Sequence, residues 1–303
     1  MATIYKTYDL EGIKEDVSDI ISNISPTKVP FQSAIGNEKI HNTLHEWQED
    51  ELRAVAVNAA VEGADPTDAT VAATTMKNNR TQIFVESVKV SRTADTVSKY
   101  GRAKEMAYQM GKSGYAVKRD LEHAFVGNNN TLVAGDDNTA RTMNGVQQQV
   151  YSGNVEYMGA ATPLSEAVLL TAIQDCYDAG SDPTIIQVTP TNSLVVADFA
   201  KASGRYRTFE NGTAGDKSIV NVVNLYVSPF GEQKVQLNRF LRASNTIIFD
   251  PEMWTKLTLT PWTREPLAKT GDATRQMIVG EFSLKHKNSK ASAIVVDNAA
   301  SGF

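Results

Sequence analysis

The stretch that most constrains this chain runs from Ala94 to Phe125, ADTVSKYGRAKEMAYQMGKSGYAVKRDLEHAF. Its apolar residues Val97, Tyr100, Ala103, Ala107, Met110, Val117, Leu121 and Phe125 recur at the three- and four-residue steps that line one side of an α-helix. The spacing predicts one helix roughly 40 Å long, at a rise of about 1.5 Å per residue. Thr93 or Asp95 is the expected N-cap, and the run Gly127-Asn128-Asn129-Asn130 the expected end. Gly101, Gly111 and Gly114 inside it each cost up to about 1 kcal/mol relative to alanine, so propensity alone does not hold it straight. Such a helix has to be packed along its length, which calls for an α+β fold built around it.

The 303 residues are enough for one large domain or two intimate ones. A net charge of -5 and a pI near 5.5 give a surface that does not attract phosphate backbones, which argues against dedicated nucleic-acid binding. Cys176 is the single cysteine, so neither an internal disulfide nor a cysteine-based zinc cluster is expected. The opening MATIYKTYDLEGIKEDV lacks a basic-then-apolar signal pattern, and no apolar run approaches the roughly 20 residues that span a membrane. The expectation is a cytoplasmic chain with no membrane partner.

Residues 11–24, EGIKEDVSDIISNI, place Ile13, Val17, Ile20, Ile21 and Ile24 on one stripe and predict a short amphipathic helix stopped at Ser25-Pro26. Its apolar side has no local partner, and another subunit is a candidate. Lys39 to Gln48 alternates like a strand, with His41, Thr43, His45 and Trp47 on one face and Ile40, Asn42, Leu44 and Glu46 on the other, neither strongly apolar. The low-bulk stretch AVAVNAAVEGADPTDATVAATTM that follows cannot fill a core. Residues 36–80 therefore read as a long two-stranded excursion, returning through the strand TQIFVESVKVS at Thr81 to Ser91. A two-stranded ribbon is marginal alone, so contact with a neighbour should steady it.

Beyond the long helix, residues 131–160 are polar and turn-rich. Leu164 to Ala179 predicts a helix facing the core with Val168, Leu169, Ala172, Ile173 and Cys176, which makes Cys176 a core residue and not a nucleophile. Thr184 to Val188 reads as a buried strand, Thr191 to Ala202 as a second helix and Gly204 to Lys217 as a loop. Further strands are expected over Ile219 to Val227, Gln233 to Leu237, Thr246 to Phe249, Lys256 to Trp262, Thr274 to Lys285 and Ala291 to Val296.

Motifs for chemistry are sparse. Met110 to Gly114 resembles the tail of a phosphate-binding loop, but Met106 stands where the first glycine is required and the segment lies in a helical run. His41, His45 and Glu46 lack the spacing of a zinc-protease helix, and His123 and His286 read as solvated or hydrogen-bonded. Glu49-Asp50-Glu51 and Asp136-Asp137 read as solvated charge runs. Lys99, Arg102, Lys104, Lys112, Lys118 and Arg119 on the long helix could face nucleic acid or pair with acidic neighbours, with pairing between subunits preferred. No catalytic residue, cofactor or metal site is expected.

The order of these segments resembles a tailed-bacteriophage major capsid protein of the Hong Kong 97 type. The resemblance is carried by the arm EGIKEDVSDIISNI with SPTKVPFQSAIG, the extended loop from about Asn37, the strand TQIFVESVKVS and the spine helix. It continues through PTIIQVTPTNSLVVADF, NTIIFDPEMWTKLTLTPW and QMIVGEFSLKHKNSKASAIV. The resemblance implies an N-terminal arm (1–36), an extended loop (37–81), a peripheral domain with the spine helix (82–140 and 251–303) and an inserted axial domain (141–250). Ile13, Val17, Ile20 and Ile24 would then dock the arm on other subunits, with Trp47 and Val55 serving the extended loop. Val97, Tyr100, Met110, Val117, Leu121 and Phe125 would pack the spine helix, and Arg205, Tyr206 and Arg207 would lie near the axial centre. Implied partners are further copies in hexamers and pentamers, portal, scaffolding and decoration proteins, and packaged double-stranded DNA met without specificity. A separate cleaved scaffolding segment is not expected ahead of the arm. The resemblance implies a non-enzymatic virion protein assembled in a host bacterial cytoplasm; a nanocompartment shell protein of the same fold and an unrecognised cytoplasmic α+β enzyme are the alternatives.

Overall fold

The structure, a computed structural model, describes residues 27–296 except 64, 66–67, 70, 102, 129, 160–161, 203–224 and 243–244, and for 200–202 the backbone only. The expected arm helix with Ile13, Val17, Ile20 and Ile24, the loop residues Arg205, Tyr206 and Arg207, and the tail from 297 lie outside the described residues. The described elements are, in order, α1 (Pro30–Ala34), β1 (Gly36–Lys39), β2 (Leu44–Glu49), β3 (Thr75–Arg80), β4 (Gln82–Ser91), α2 (Arg92–Thr96), α3 (Glu105–Val126), α4 (Val146–Gln149), β5 (Val155–Tyr157) and α5 (Glu166–Asp178). They continue as β6 (Ile185–Val188), α6 (Pro190–Ala202), β7 (Leu225–Ser228), β8 (Gly231–Leu237), β9 (Thr246–Phe249), β10 (Trp254–Leu267), β11 (Ala273–His286) and β12 (Ser292–Val296).

The long helix is shorter than its periodicity predicted. Gly101 takes a left-handed φ of 73°, a conformation that glycine tolerates and a continuing helix does not, so α2 and α3 are separate elements. Asp95, on α2, accepts the Met106 amide at 3.1 Å and caps α3 from across the break. Val97 and Tyr100, expected along the helix, sit in this connection with 55% and 50% of their surface exposed. Ala103 precedes the helix, and Ala107 is exposed, beside a buried stripe of Met106, Met110, Ser113, Val117, Leu121 and Phe125. The far end falls at Gly127, where a Cβ would lie 2.4 Å from the Phe240 carbonyl oxygen, so only glycine permits that approach. Lys99 and Lys104 pair within the chain, with Glu105 (3.9 Å) and Asp95 (4.0 Å).

Two sheets share one core with α3. The four-stranded sheet has the order β1-β10-β11-β4, and the six-stranded sheet the order β5-β12-β9-β6-β8-β7. Between them lie Phe84, Phe282 and Leu284 from the first sheet, Ile247, Phe249 and Ile294 from the second, and Leu121 and Phe125 from α3. The alternate residues Ile248, Ala293 and Val295 face the opposite way, against Leu169, Ile173 and Cys176 of α5 and Val196 of α6. Strands covered on both faces explain the continuously apolar runs TIIF and SAIVV. β12 pairs with β5 and β9, so the boundary drawn at 251–303 does not follow the sheets: this strand lies in the six-stranded one. Residues 131–160, expected to be polar, also supply Met143, Val146, Val150 and Val155 to the core.

The excursion after α1 divides differently from its expected alternation. Gly36–Lys39 adds to the four-stranded sheet in parallel with β10, and Ile40 behind it is buried. Only Leu44–Glu49 and Thr75–Arg80 form the ribbon; between them the described residues form no strand and are almost all exposed.

Candidate functional site

The ribbon is held along its length by side chains from distant parts of the chain. At its foot the Thr81 amide donates to the Thr43 carbonyl oxygen (2.9 Å), and Arg141 donates from Nε to the Thr81 carbonyl oxygen (2.6 Å) while its guanidinium also pairs with Glu281. Buried Asn79 donates to the Leu284 carbonyl oxygen (2.6 Å) and accepts the Asn144 amide (2.9 Å). At the far end Glu49 accepts the amide and the hydroxyl of Ser289, both at 3.0 Å, and Glu51 pairs with Lys290 at 2.6 Å. Glu49 is thus a structural acceptor and not part of a solvated charge run. Trp47 is half-buried and stacks on His45 with ring centroids 6.0 Å apart. Beyond this anchored ribbon, Leu52, Val55, Val57, Val61 and Val71 are 80–102% exposed. Apolar side chains left in water along one stretch in this way mark an interaction surface.

Glu122 on α3 fixes the start of α1 to the body. The Phe31 and Gln32 amides, two donors of the first turn of α1, reach Glu122 Oε1 (2.8 Å) and Oε2 (3.0 Å). Asn238 Nδ2 adds a third bond to Oε1 (2.8 Å) and also donates to Gln187 Oε1 (3.2 Å) on β6. Burial pushes the Glu122 carboxyl above its ordinary pKa, and the three donors pull it back. The signal for it in the sequence is its place directly after Leu121 and three residues before Phe125, at the margin of the apolar stripe.

Trp254, Ser292 and His286 join the two sheets. The Trp254 indole stacks on the His286 ring at 3.9 Å and 6° and donates from Nε1 to Ser292 Oγ at 2.9 Å. The Ser292 hydroxyl is then free to donate to His286 Nε2 at 3.0 Å, which leaves the ring proton on Nδ1, 3.4 Å from the Gln149 carbonyl oxygen. This arrangement suits a neutral imidazole, and full burial pushes the His286 pKa from 6.5 down to about 3. The unfolded chain therefore takes up a proton near pH 6.5 that the folded chain refuses until about pH 3, so stability is present above pH 6.5 and lost as the pH falls through that window. The expected loss is at most about 1.4 kcal/mol per pH unit. Urea midpoints measured between pH 7.5 and 5 should fall more steeply for the native protein than for His286→Gln; parallel slopes would show that the ring is free to protonate.

Among the described residues there is no group of three or more histidine, cysteine or acidic side chains placed to hold a metal. Cys176 is fully buried and its thiol is pushed up to about 12, the state of an inert core residue. No helix among the described residues is long and apolar enough to cross a membrane. What the geometry offers is surface: a braced ribbon, an exposed apolar stretch and a short helix, α1, tied to α3.

Two packed sheets with a spine helix, and a two-stranded ribbon braced against the body, make the fold of Hong Kong 97-type shell proteins. The solved structures agree: the capsid of the native GTA particle matches with a TM-score of 0.65 at 10% identity, over 97% of this chain and 98% of that one. The SrpI encapsulin of Synechococcus elongatus PCC 7942 matches at 0.65 and 7% identity over 99% of both chains, and Gordonia phage Cozz at 0.63 and 11% over 96% and 92%. The SU10 major capsid protein family profile matches residues 2–299, and this chain belongs to that family. It is 30% identical to the major capsid protein of Escherichia phage Phieco32, over 97% of this chain and 96% of that protein. It is accordingly a structural component of a phage capsid and not an enzyme.

Proposed function

We propose that copies of this chain assemble as hexamers and pentamers into an icosahedral head that encloses double-stranded DNA. The observation that carries the reading is the fully exposed apolar run beyond the ribbon, which the chain does not bury by itself and which a neighbour would cover. In this reading the arm, through Ile13, Val17, Ile20 and Ile24, and the extended segment, through Trp47 and Val55, lie across adjacent subunits. The four-stranded sheet with α3 forms the peripheral part. The six-stranded sheet, including β12, forms the axial part, with Arg205, Tyr206 and Arg207 near the ring centre. The net charge of -5 suits a wall that must not adhere tightly to packaged DNA. Portal, scaffolding and decoration proteins are the further partners, and the host bacterial cytoplasm is the place of assembly. The encapsulin likeness extends to the fold, whereas the sequence relationship runs to a phage head protein, which favours a genome over an enzyme cargo.

Negative-stain electron microscopy and size-exclusion chromatography of the chain, alone and co-expressed with its phage's head-assembly proteins, should show rings, tubes or shells far heavier than 33.0 kDa. A species that stays monomeric under both conditions would overturn the reading. Ile20→Asp is expected to give a folded subunit, with an unchanged urea midpoint, that does not close shells. Normal shells from that variant would remove the arm from the contact.

A further inference from the structure

The cations of α3 and of the connection before it fall into two sets. Around the start of the helix they are compensated within the chain: Lys99 pairs with Glu105, Lys104 pairs with Asp95, and Lys112 shares a groove beside β4 with Glu86 and Glu105. In the second half, Lys118 and Arg119 have no acidic partner among the described residues. Of the two acids there, Glu122 is buried and taken up by the Phe31 and Gln32 amides and Asn238, and Asp120 forms no ion pair among the described residues. Arg119 Nε is shut off from water and has no acceptor.

Two more cations reach the same end of the helix from other elements. Lys256 on β10 pairs across the sheet with Leu284, which lies in the core with Leu121 and Phe125 of α3, so both strand residues are on the face that carries the helix. Its Nζ stands 5.8 Å over the Phe282 ring. Burial first, and then the charge of Lys118, hold the Lys256 ammonium below the ordinary lysine range. On the connection after β8, Asn238 bonds Glu122 at 2.8 Å and the Phe240 ring lies 5.8 Å from the Arg119 guanidinium, which sets the exposed Arg239 between them at the same place. Like charges gathered without an acid repel one another, and an incoming anion reverses the sign of the interaction.

We infer that Lys118, Arg119, Arg239 and Lys256 form the surface on which the subunit meets the phosphate backbone of double-stranded DNA, and that the second half of α3 therefore faces the interior of the head. The inference rests on the reading that the shell encloses DNA, and specifies which surface touches it. Ammonium and guanidinium groups spread over α3, β10 and the connection after β8 suit evenly spaced phosphates met without regard to base sequence. A carboxylate from a neighbouring copy would engage one of them and leave the others uncompensated. A local patch of this kind is compatible with the acidic balance of the whole chain, because it gives a few weak, salt-sensitive contacts and no general adhesion.

The test titrates the purified subunit into short fluorescent duplexes of two unrelated sequences at rising sodium chloride, with anisotropy as the readout. Four contacted phosphates give a slope of log affinity against log salt of about -3.6, at about -0.9 per phosphate, and the same slope for both duplexes. A Lys118→Gln, Arg119→Gln, Arg239→Gln variant should retain a slope of about -0.9, whereas Lys89→Gln, Lys112→Gln on the other flank of α3 should keep the native one. No binding of the native subunit at low salt, or equal slopes for the native protein and the triple variant, would overturn the inference. Negative-stain microscopy of the same proteins reads assembly separately. The triple variant should still close shells; a variant that binds the duplexes as the native protein does but makes no shells would assign the patch to contacts between copies. Native subunits that bind both duplexes yet never assemble would remove the shell reading and leave the phosphate site standing. Acetylation of lysines in DNA-filled and emptied heads tests the unmodified protein. Lys118 and Lys256 should react more slowly in filled heads, with Lys269 alike in both, and equal reactivity of all three would overturn the inward orientation.

Discussion

Glu122→Ala is expected to destabilise the subunit by about 3–5 kcal/mol, the range for removing one partner of a buried charged network. The carboxylate is fully buried and accepts from the Phe31 amide, the Gln32 amide and Asn238 Nδ2. Alanine leaves all three donors without an acceptor, and the space it opens is too enclosed for water to replace each bond. α1 is five residues long and opens without a side-chain cap of its own, so the acceptor ninety-one positions away from Phe31 takes the place of one. The loss should therefore fall first on α1. The check is twofold: a lowered denaturant midpoint, and faster hydrogen exchange at Phe31 and Gln32 under conditions where Leu121 and Phe125 remain protected. Glu122→Gln keeps one acceptor but turns an amide toward a donor, and should lie between alanine and the native protein. A variant of native stability would mean that the three donors find water, contrary to the burial seen here.

Trp254→Ala is expected to cost about 3–5 kcal/mol as well, through a different mechanism. The indole is fully buried, meets Phe31 edge-on at 5.8 Å and stacks on His286 at 3.9 Å, so its removal opens a cavity where α1, β10 and the end of β11 converge. It also strips the Ser292 hydroxyl of its donor and leaves the His286 ring unsupported on one face. Trp254→Phe separates the two effects, because it refills most of the volume without the Nε1–H bond, and should recover about half of the loss. Denaturant melts followed by far-ultraviolet dichroism give the stabilities. Equal losses for the two variants would place the whole effect on the hydrogen bond.

The helices and central strands were legible because their signals are local. α5 shows its core face as Leu169, Ala172, Ile173 and Cys176, and TIIF reads as a strand, which the structure covers on both faces. The errors arose where the deciding contact is far away in sequence. The predicted helix from Ala94 ran through Gly101 because three- and four-residue spacing persists on both sides of it, and only the left-handed backbone there, with Asp95 capping α3, shows the break. Glu49 looked like one of three solvated acids until Ser289 came to lie beside it. Glu122 was hidden for the same reason.

The sequence by itself determined the amphipathic periods, the absence of catalytic and metal-binding patterns, the low-bulk run that no core can use, and through the order of its segments the resemblance to a shell protein. Tertiary structure decided the joints: which acid caps which helix, which strand joins which sheet, where the ribbon is braced and which cations of α3 find a partner. The division follows from the range of the forces involved. Burial patterns are averaged over many neighbouring residues and survive in one dimension. A buried hydrogen bond depends on two atoms that the whole fold must bring within about 3 Å.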